Sequence, residues 1–422
     1  MAVGQPTMRS VAKPFGRVIA LGVVGVLGFA LTTAQVPASQ AVAASSSPPV
    51  STSLRWHGCD HIPASWKCGT LTVPRDWFDS SSSLKASIAF AVHRATGERR
   101  GTLTLNPGGP GGSPLGVVGV LMDMLPAKIK RHFDIVLWDP RGVGQSTPIL
   151  TGCPIPPDMP TMPDVGAVDW NTVAAEYMAA SASVNTACAE ANPEVAPYLG
   201  TQFVVRDLEA LRKALGVSKW TYWGMSYGTR IGLLYAQLFP HSIRAMLLDG
   251  SVEPNSSIAG ISATMGDTFS TTLTVLASLL GKSTGTRMFK VIRELNRRTS
   301  TLADDFPLNR WNFLQGLHMS SREQKTMPDI KRDVNDAYAA LFGTAQRKVS
   351  GRHAPRGFDY GRLYTLRFVN CADYADRASP ETVGAWAQAS AQNGTVYGGS
   401  LTVQTSGWCA GLLAFAHPMP RV

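Results

Sequence analysis

The 422-residue sequence has few charged residues and no long block of one charge. Lys, Arg, Asp and Glu make up 16% of it, against a hydrophobic share of 44%. That composition is typical of a globular protein and excludes a disordered one. The net charge of +10 is spread along the chain, without the Lys/Arg cluster that marks a nucleic-acid site. We therefore expect no nucleic-acid partner.

Signatures of metal and nucleotide binding are missing as well. The sequence holds no C-x-x-C pair and no metal-type Cys/His cluster. The stretch Gly281-Lys282-Ser283 resembles the end of a phosphate loop, but Leu276 stands where the first glycine of that motif belongs. The sequence thus predicts a protein that uses neither a metal nor a cofactor.

The apolar run that stands out lies near the N-terminus, at residues 18–31. It follows a basic segment and precedes small residues, which is the arrangement of a secretory signal peptide cleaved near Ala43 or Ala44. An uncleaved anchor is the alternative, but the run is shorter than the ~20 residues of a membrane span. No later apolar stretch is long enough to cross a bilayer. We expect removal of residues 1–44 and a secreted protein with no membrane attachment afterwards.

Six cysteines follow the predicted signal peptide. An even number of cysteines in a secreted chain favours disulfide bonds. Six cysteines allow many pairings, and nearest neighbours are the simplest choice. That choice joins Cys59 to Cys68, Cys153 to Cys188 and Cys371 to Cys409.

From residue 102 to residue 250 the sequence alternates strand-like and helix-like segments, which is typical of a parallel sheet with helices on both faces. We predict six strands, at 69–73, 86–93, 102–106, 133–138, 219–223 and 243–249, and helices at 203–215 and 227–238. Residues 259–345 have helical patterning without clear strands. The predicted organisation is a flexible leader at 45–54, a sheet-containing core at 55–252, a mainly helical cap at 253–405 and a return towards the core at 406–422.

The strongest candidate for chemistry is Gly224-Met225-Ser226-Tyr227-Gly228, a G-x-S-x-G motif between a predicted strand and a predicted helix. That context is the nucleophile elbow, in which a tight turn presents the serine beside a helix N-terminus that favours negative charge. A purely structural strand–helix turn is the alternative. A serine hydroxyl is a weak nucleophile by itself, so a histidine base and an orienting carboxylate are required.

A glycine-rich loop, NPGGPGGS at residues 106–113, follows the third predicted strand. Next to a nucleophile elbow, such a loop gives one backbone N–H to the oxyanion hole, and the residue after the serine gives the other. We predict that these amides belong to Gly109 and Tyr227, with Gly108 as the alternative to Gly109. A phosphate-binding loop is the rival, but the spacing fits neither G-x-G-x-x-G nor a P-loop. A third motif, DPRGVGQS at 139–146, is interpreted as a structural turn near the site.

Taken together, NPGGPGGS, FDIVLWDPRGVGQS, YWGMSYGTRIGLLYAQLFP and LLDGSVEP resemble secreted bacterial tripeptidyl aminopeptidases, which are α/β-hydrolases related to prolyl aminopeptidases. The likeness covers roughly residues 55–420, with one departure: SPLG follows the glycine loop where a further glycine is expected. The resemblance implies an α/β-hydrolase fold, with a mostly parallel sheet and a helical cap. It also implies a serine exopeptidase that acts through an acyl-enzyme on Ser226 and releases short peptides from free N-termini. An esterase on the same fold and a catalytically inactive peptide-binding protein are the alternatives.

The base and acid that Ser226 requires are not evident. In the family that the sequence resembles, both follow the last two strands of the sheet. The segment at 369–376 resembles the one that closes the cap, and the segment around Trp408-Cys409 resembles the one just before the last part of the sheet. The expectation is therefore a chain truncated before those strands, in which the serine lacks its Asp and His.

An alternative completes the triad within the sequence. If residues 363–370 and 411–416 were strands, they would lead to Asp373 and His417. Those two side chains would then serve as substitutes for the acid and the base of Ser226.

Overall fold

The computed structural model describes residues 52–160, 163, 166–302, 307–322, 326–343, 360–393, 396–412, 415 and 417–422. The predicted signal peptide at 1–44 lies outside the described residues, as does most of the predicted leader. Among the described residues, no helix combines the length and the apolar character that a bilayer crossing requires.

The central feature is a mixed sheet of seven strands. They are β1 (Ser53–His57), β2 (Trp66–Pro74), β3 (Lys85–His93), β4 (Gly101–Asn106), β5 (Phe133–Trp138), β6 (Trp220–Met225) and β7 (Ile243–Asp249). Their order across the sheet is β1-β2-β3-β5-β4-β6-β7. The first three strands are antiparallel, β3 is antiparallel to β5, and β5, β4, β6 and β7 run parallel. The carboxyl ends of β4, β5 and β6 therefore meet at one edge of the sheet.

The six predicted strands are confirmed to within three residues at each end, but the sequence analysis missed β1. Its first residues, Ser53 and Leu54, fall in the segment predicted to be a flexible leader, and that prediction is wrong for them. β1 is an edge strand whose residues are exposed or half-buried. Its formation depends on pairing with β2, which local patterning does not reveal.

Five helices accompany the strands up to residue 249 in the described chain. They are α1 (Val118–Met124), α2 (Ala127–His132), α3 (Trp170–Ala191), α4 (Thr201–Ala214) and α5 (Tyr227–Leu238). The predicted helices at 203–215 and 227–238 correspond to α4 and α5 and are confirmed. No prediction was made for α3, which is rich in Ala, Ser and Thr and so has weak hydrophobic periodicity. Its start is fixed by Asp169, whose side chain accepts from the N–H groups of Asn171 and Thr172.

The remaining described chain is mainly helical. Its helices are α6 (Ile258–Leu280), α7 (Lys282–Leu295), α8 (Arg310–Arg322), α9 (Met327–Phe342), α10 (Tyr360–Asp373), α11 (Pro380–Asn393) and α12 (Val396–Ser406). The helical pattern predicted for 259–345 corresponds to α6 to α9. One feature differs from that prediction: an antiparallel pair of two-residue strands, β8 (Ser300–Thr301) and β9 (Pro307–Leu308).

Apolar side chains pack on both faces of the central sheet, although several residues of the last strand, β7, are exposed. On one face α4 and α5 pack on the sheet, and α10 joins the same buried cluster, which includes Leu208, Leu211, Ile231, Leu234, Tyr364 and Phe368. On the other face α1 contributes Val118 and Leu121 to a cluster with residues of β4 and β5. Burial of this apolar surface, at about 25 cal/mol per Å², holds the ends of the parallel strands in fixed positions.

The structure contains the three disulfides that nearest-neighbour pairing predicts. Cys59 is bonded to Cys68, Cys153 to Cys188, and Cys371 to Cys409. The last of these joins the end of α10 to the segment that follows α12. No cysteine is left as a free thiol.

Candidate active site

Ser226 lies between β6 and α5 in a backbone conformation that few residues adopt. Its φ is 52° and its ψ is −123°, and positive φ is uncommon for a residue with a Cβ. The Ser226 N–H donates to Asp249 O at 2.9 Å, while Ser226 O accepts from Thr229 N–H at 2.9 Å. The Ser226 side chain is exposed. This is the geometry of a nucleophile elbow, which turns a serine hydroxyl outward at the end of a strand.

The two glycines of the motif are required by close contacts inside the elbow. A Cβ on Gly224 would collide with Gly228 O, and a Cβ on Gly228 would collide with Asn106 O. Only glycine therefore allows β6, the start of α5 and the start of the glycine-rich loop to approach one another this closely. The two contacts explain the G-x-S-x-G spacing physically.

The glycine-rich loop packs its main chain directly on the elbow. At Gly108, where φ is +95°, a Cβ would lie 2.6 Å from Met225 O and 3.0 Å from Tyr227 N. The structure thus brings together three predicted site residues: Ser226, Tyr227 and Gly108. Gly109 follows at once, with φ +121°.

Hydrogen bonding separates the two candidates for the loop amide. The Gly108 N–H donates to Asn106 Oδ1 at 2.9 Å, so this donor is already engaged within the loop and is not available to an oxyanion. The Gly109 N–H has no protein acceptor in the described part of the chain. Tyr227 is the first residue of α5, and the first N–H groups of a helix have no acceptor within it. The pattern favours the amides of Gly109 and Tyr227 over that of Gly108.

Asp139, at the end of β5, fixes the far end of the glycine-rich loop. Its carboxylate accepts from Ser113 Oγ at 2.8 Å, from Leu115 N–H at 3.1 Å and from Gln145 N–H at 2.8 Å. Burial raises the pKa of the Asp139 carboxyl, against the effect of these three hydrogen bonds. The sequence analysis interpreted the loop at 139–146 as structural, and this role of Asp139 agrees with that interpretation.

Arg141, in the same loop, is also structural. Its guanidinium makes a bidentate pair with Asp207 of α4, at 2.6 and 2.7 Å, and donates to backbone carbonyls at Pro74, Arg75 and Tyr198. Both side chains are almost fully buried. Arg141 therefore has all its donors engaged away from Ser226.

The alternative triad with Asp373 and His417 does not form. Residues 363–370 belong to helix α10 rather than to a strand, and the described residues of 411–416 are not in a strand either. The apolar pattern of 363–370 suits either structure, since short apolar runs do not distinguish a strand from a buried helix. The Asp373 carboxylate accepts from Thr201 and Arg230.

The His417 ring makes other contacts. It stacks on Phe78, with 4.2 Å between ring centroids, and the His417 carbonyl accepts from Gln202 Nε2. No hydrogen bond joins His417 to Asp373 or to Ser226. The histidines whose side chains the structure describes include none that hydrogen-bonds to Ser226 Oγ. The side chains of His318 and His353 lie outside the described residues.

Side chains of the types that bind metal ions are not clustered in the described chain. No group of three or more His, Cys, Asp or Glu side chains is placed there to hold a metal ion. The chemistry that the described residues suggest is nucleophilic attack by an exposed serine, with backbone N–H groups that can donate hydrogen bonds to the developing oxyanion.

One polar arrangement behind the elbow was not predicted. Arg230 stands on the apolar helix α5, fully buried, and pairs with Asp373. The only signal in the sequence was an arginine one turn after the serine within an otherwise apolar helix. Its partner is 143 residues away along the chain, which no local pattern reveals.

Three comparisons with known proteins bear on the fold and the site. Serine protease Hip1 of Mycobacterium tuberculosis is 38% identical over 197 residues, covering 46% of this chain and 38% of that protein. Tripeptidyl aminopeptidase of Streptomyces lividans is 34% identical over 220 residues, covering 48% of this chain and 39% of that protein. Carboxylesterase B of M. tuberculosis is 31% identical over 216 residues, covering 49% and 41%. The chain thus spans about two fifths of the length of the curated relatives it matches.

The family itself is recognised over a longer part of the chain. A model of the α/β-hydrolase fold matches residues 101–312, half of the sequence. That segment contains the glycine-rich loop, β5, the elbow and β7, so the match and the geometry of the sheet and elbow agree. The chain therefore belongs to the α/β-hydrolase family.

Proposed function

We propose that this protein is a serine peptidase in which Ser226 attacks the carbonyl carbon of a peptide bond. The observation that carries the proposal is the conformation of Ser226, which is exposed, at positive φ, and followed at once by the N-terminus of α5. Two relatives named as a serine protease and a tripeptidyl aminopeptidase support a peptide substrate.

The proposed reaction proceeds by acyl transfer. The Ser226 oxygen bonds to the carbonyl carbon, and the carbonyl oxygen takes a negative charge that the N–H groups of Gly109 and Tyr227 stabilise. The step requires a base that takes the hydroxyl proton and returns it to the leaving amine as the C–N bond breaks, a role that histidine has in such sites. No histidine whose side chain the structure describes hydrogen-bonds to Ser226 Oγ. Water then hydrolyses the ester, releasing the acyl group and restoring the serine.

We further propose that the protein acts outside the cell on free N-termini and releases tripeptides. The name of the Streptomyces relative supports the type of product, and three disulfides are compatible with an oxidising compartment. We propose that α10, which packs on the glycine-rich loop, limits substrates to chain ends. A Cβ on Gly111 would lie 2.7 Å from Arg362 O at the start of that helix.

An esterase is the second candidate, because a carboxylesterase is among the relatives. The same serine and the same two amides serve ester cleavage, since esters and amides pass through tetrahedral intermediates with the same oxyanion. The candidates differ in the leaving group and in how the substrate's amino end is recognised. The third candidate, a catalytically inactive peptide-binding protein, predicts no turnover of either class.

A small substrate panel tests the proposal. We expect the purified protein to release p-nitroaniline from a tripeptide p-nitroanilide with a free amino terminus, but not from the same tripeptide with an acetylated terminus. Ser226→Ala is expected to lower the rate by about 10³-fold or more. Hydrolysis of p-nitrophenyl esters alone would favour the esterase. Peptide release that survives Ser226→Ala would contradict the proposed nucleophile.

A further inference from the structure

We propose that Asp373 is a positioning residue that holds the first turn of α5, and with it the Tyr227 amide, in place behind Ser226. The inference rests on the proposed function, since it matters only if that amide stabilises an oxyanion. Asp373 acts through two intermediaries, Arg230 and Thr201. It gives a role to a carboxylate that is buried, close to the elbow and not part of a triad.

The link through Arg230 is a buried ion pair. Arg230 Nη1 lies 2.8 Å from Asp373 Oδ2, and the two side chains are 2% and 1% exposed. The same guanidinium nitrogen donates to Asn370 Oδ1 at 3.1 Å. Arg230 also lies against two aromatic rings, 4.5 Å from the centroid of Tyr374 and 5.3 Å from that of Tyr227. The first turn of α5 is thereby tied to the end of α10.

The link through Thr201 reaches Tyr227 itself. Thr201, the first residue of α4, donates to Asp373 from its N–H at 2.7 Å and from its hydroxyl at 2.5 Å. Its hydroxyl oxygen also lies 2.7 Å from Tyr227 Oη. Burial raises the pKa of the Tyr227 phenol, so the side chain remains a neutral hydrogen-bonding group. The Tyr227 side chain is therefore held through its phenol oxygen, while Arg230 holds the helix turn that carries the Tyr227 N–H.

The end of α10, where Asp373 lies, is itself held in place by a disulfide bond and by packing in the core. Cys371, two residues before Asp373, is bonded to Cys409, and Phe368 is fully buried in the main core. A buried ion pair adds little net stability, but removing one partner leaves a buried charge unpaired. The protein around the unpaired charge then shifts or admits water, because an unpaired buried charge is unfavourable. An oxyanion donor tolerates only about 0.5 Å of displacement, so the effect is expected at the Tyr227 amide.

The pKa of a thiol placed at position 226 reports how well the Tyr227 amide is positioned, and its measurement requires no catalytic turnover. All native cysteines are in disulfides, so Ser226→Cys introduces a single reactive thiol at the N-terminus of α5, where the thiolate is stabilised. Its pKa is read from the pH dependence of alkylation by iodoacetamide. In the Ser226→Cys background, we expect Asp373→Asn to raise that thiol pKa by about half a unit or more.

The sign of the shift separates positioning from simple electrostatics. Asp373→Asn removes a negative charge and leaves Arg230 unpaired, and both changes by themselves would lower the pKa of a nearby thiol. A rise therefore reports the loss of amide positioning. Thr201→Val is a milder variant that keeps the ion pair and removes the hydroxyl link, and we expect a smaller rise.

Asp207→Asn is the matched control, because Asp207 is equally buried and paired with Arg141 but has no hydrogen bond or ion pair to α5. We expect it to leave the thiol pKa unchanged. An ordinary thiol pKa in Ser226→Cys alone would count against the proposed function. A depressed thiol pKa that neither Asp373→Asn nor Thr201→Val raises would overturn the positioning role. If Asp373→Asn does not fold, the thiol pKa of the Thr201→Val variant tests the proposal by itself.

Discussion

Ser226 is held by several hydrogen bonds in a conformation that costs free energy. A non-glycine residue at positive φ costs on the order of 1–3 kcal/mol. Its N–H donates to Asp249 O, and its carbonyl accepts from both the N–H and the hydroxyl of Thr229. Each such bond contributes about 0.5–1.5 kcal/mol, which is enough together to offset the strain. The strained geometry at this serine is thus stabilised by its immediate neighbours along β7 and α5.

Gly108 offers a direct test of the packing between loop and elbow. Gly108→Ala places a Cβ 2.6 Å from Met225 O at a φ of +95°, so we expect the free energy of unfolding to fall by about 2 kcal/mol or more. Gly119→Ala is the control, since Gly119 lies in helix α1 with open space around it. It should be neutral or stabilising by up to about 1 kcal/mol. Urea denaturation measures both, and equal effects of the two variants would contradict the proposed close contact.

At the scale of the element, α4 and α5 are joined by polar bonds at both ends of their contact. Thr201 meets Tyr227 at one end. At the other, Tyr235 Oη donates to Glu209 Oε2 at 2.6 Å, and Arg212 makes a bidentate pair with the same carboxylate. Burial acts to raise the pKa of the Glu209 carboxyl, but the hydrogen bonds from Arg212 and Tyr235 outweigh it and hold the pKa below its usual value.

This depressed pKa predicts how stability changes with pH. An acid with a lowered folded-state pKa stabilises the protein above its unfolded pKa, which is about 4.3 for Glu, and the stabilisation is lost as pH falls through the folded value. Glu209→Gln should therefore lower the free energy of unfolding by about 1–3 kcal/mol at pH 7. The difference from wild type should shrink below about pH 4. Urea denaturation of both proteins at several pH values measures it, and a difference independent of pH would contradict the account.

Secondary structure near the elbow could be predicted from the sequence almost to the residue. The segments that became β6, α5 and β7 have apolar patterns bounded by Gly216, Ser226 and Pro240, which end or begin elements for local steric reasons. The elements that were not predicted lack such signals. β1 depends on its partner strand, and α3 on contacts with other helices such as α11.

At the scale of the whole molecule, the sequence predicted the parallel arrangement of β4 to β7, but not their order, and it predicted that the glycine-rich loop meets the elbow. Both predictions follow from motifs that come directly after successive strands in the sequence. The role of Asp373 could not be predicted, because its partners Thr201 and Arg230 are 172 and 143 residues away. The sequence suggested a catalytic acid there, and the structure shows a buried carboxylate that pairs with Arg230 and accepts from Thr201. Charged residues near a functional site need tertiary contacts before a role can be assigned.

We propose that the turn at Ser226 stabilises negative charge through the N-terminus of α5 and the amides of Tyr227 and Gly109. The most direct test is the pKa of the thiol introduced by Ser226→Cys, measured by the rate of alkylation between about pH 4 and 10. An exposed turn residue, Ser80→Cys, gives the reference value of about 8.5 for an ordinary thiol. The account predicts a pKa at least about one unit lower at position 226. Equal pKa values at the two positions would contradict it.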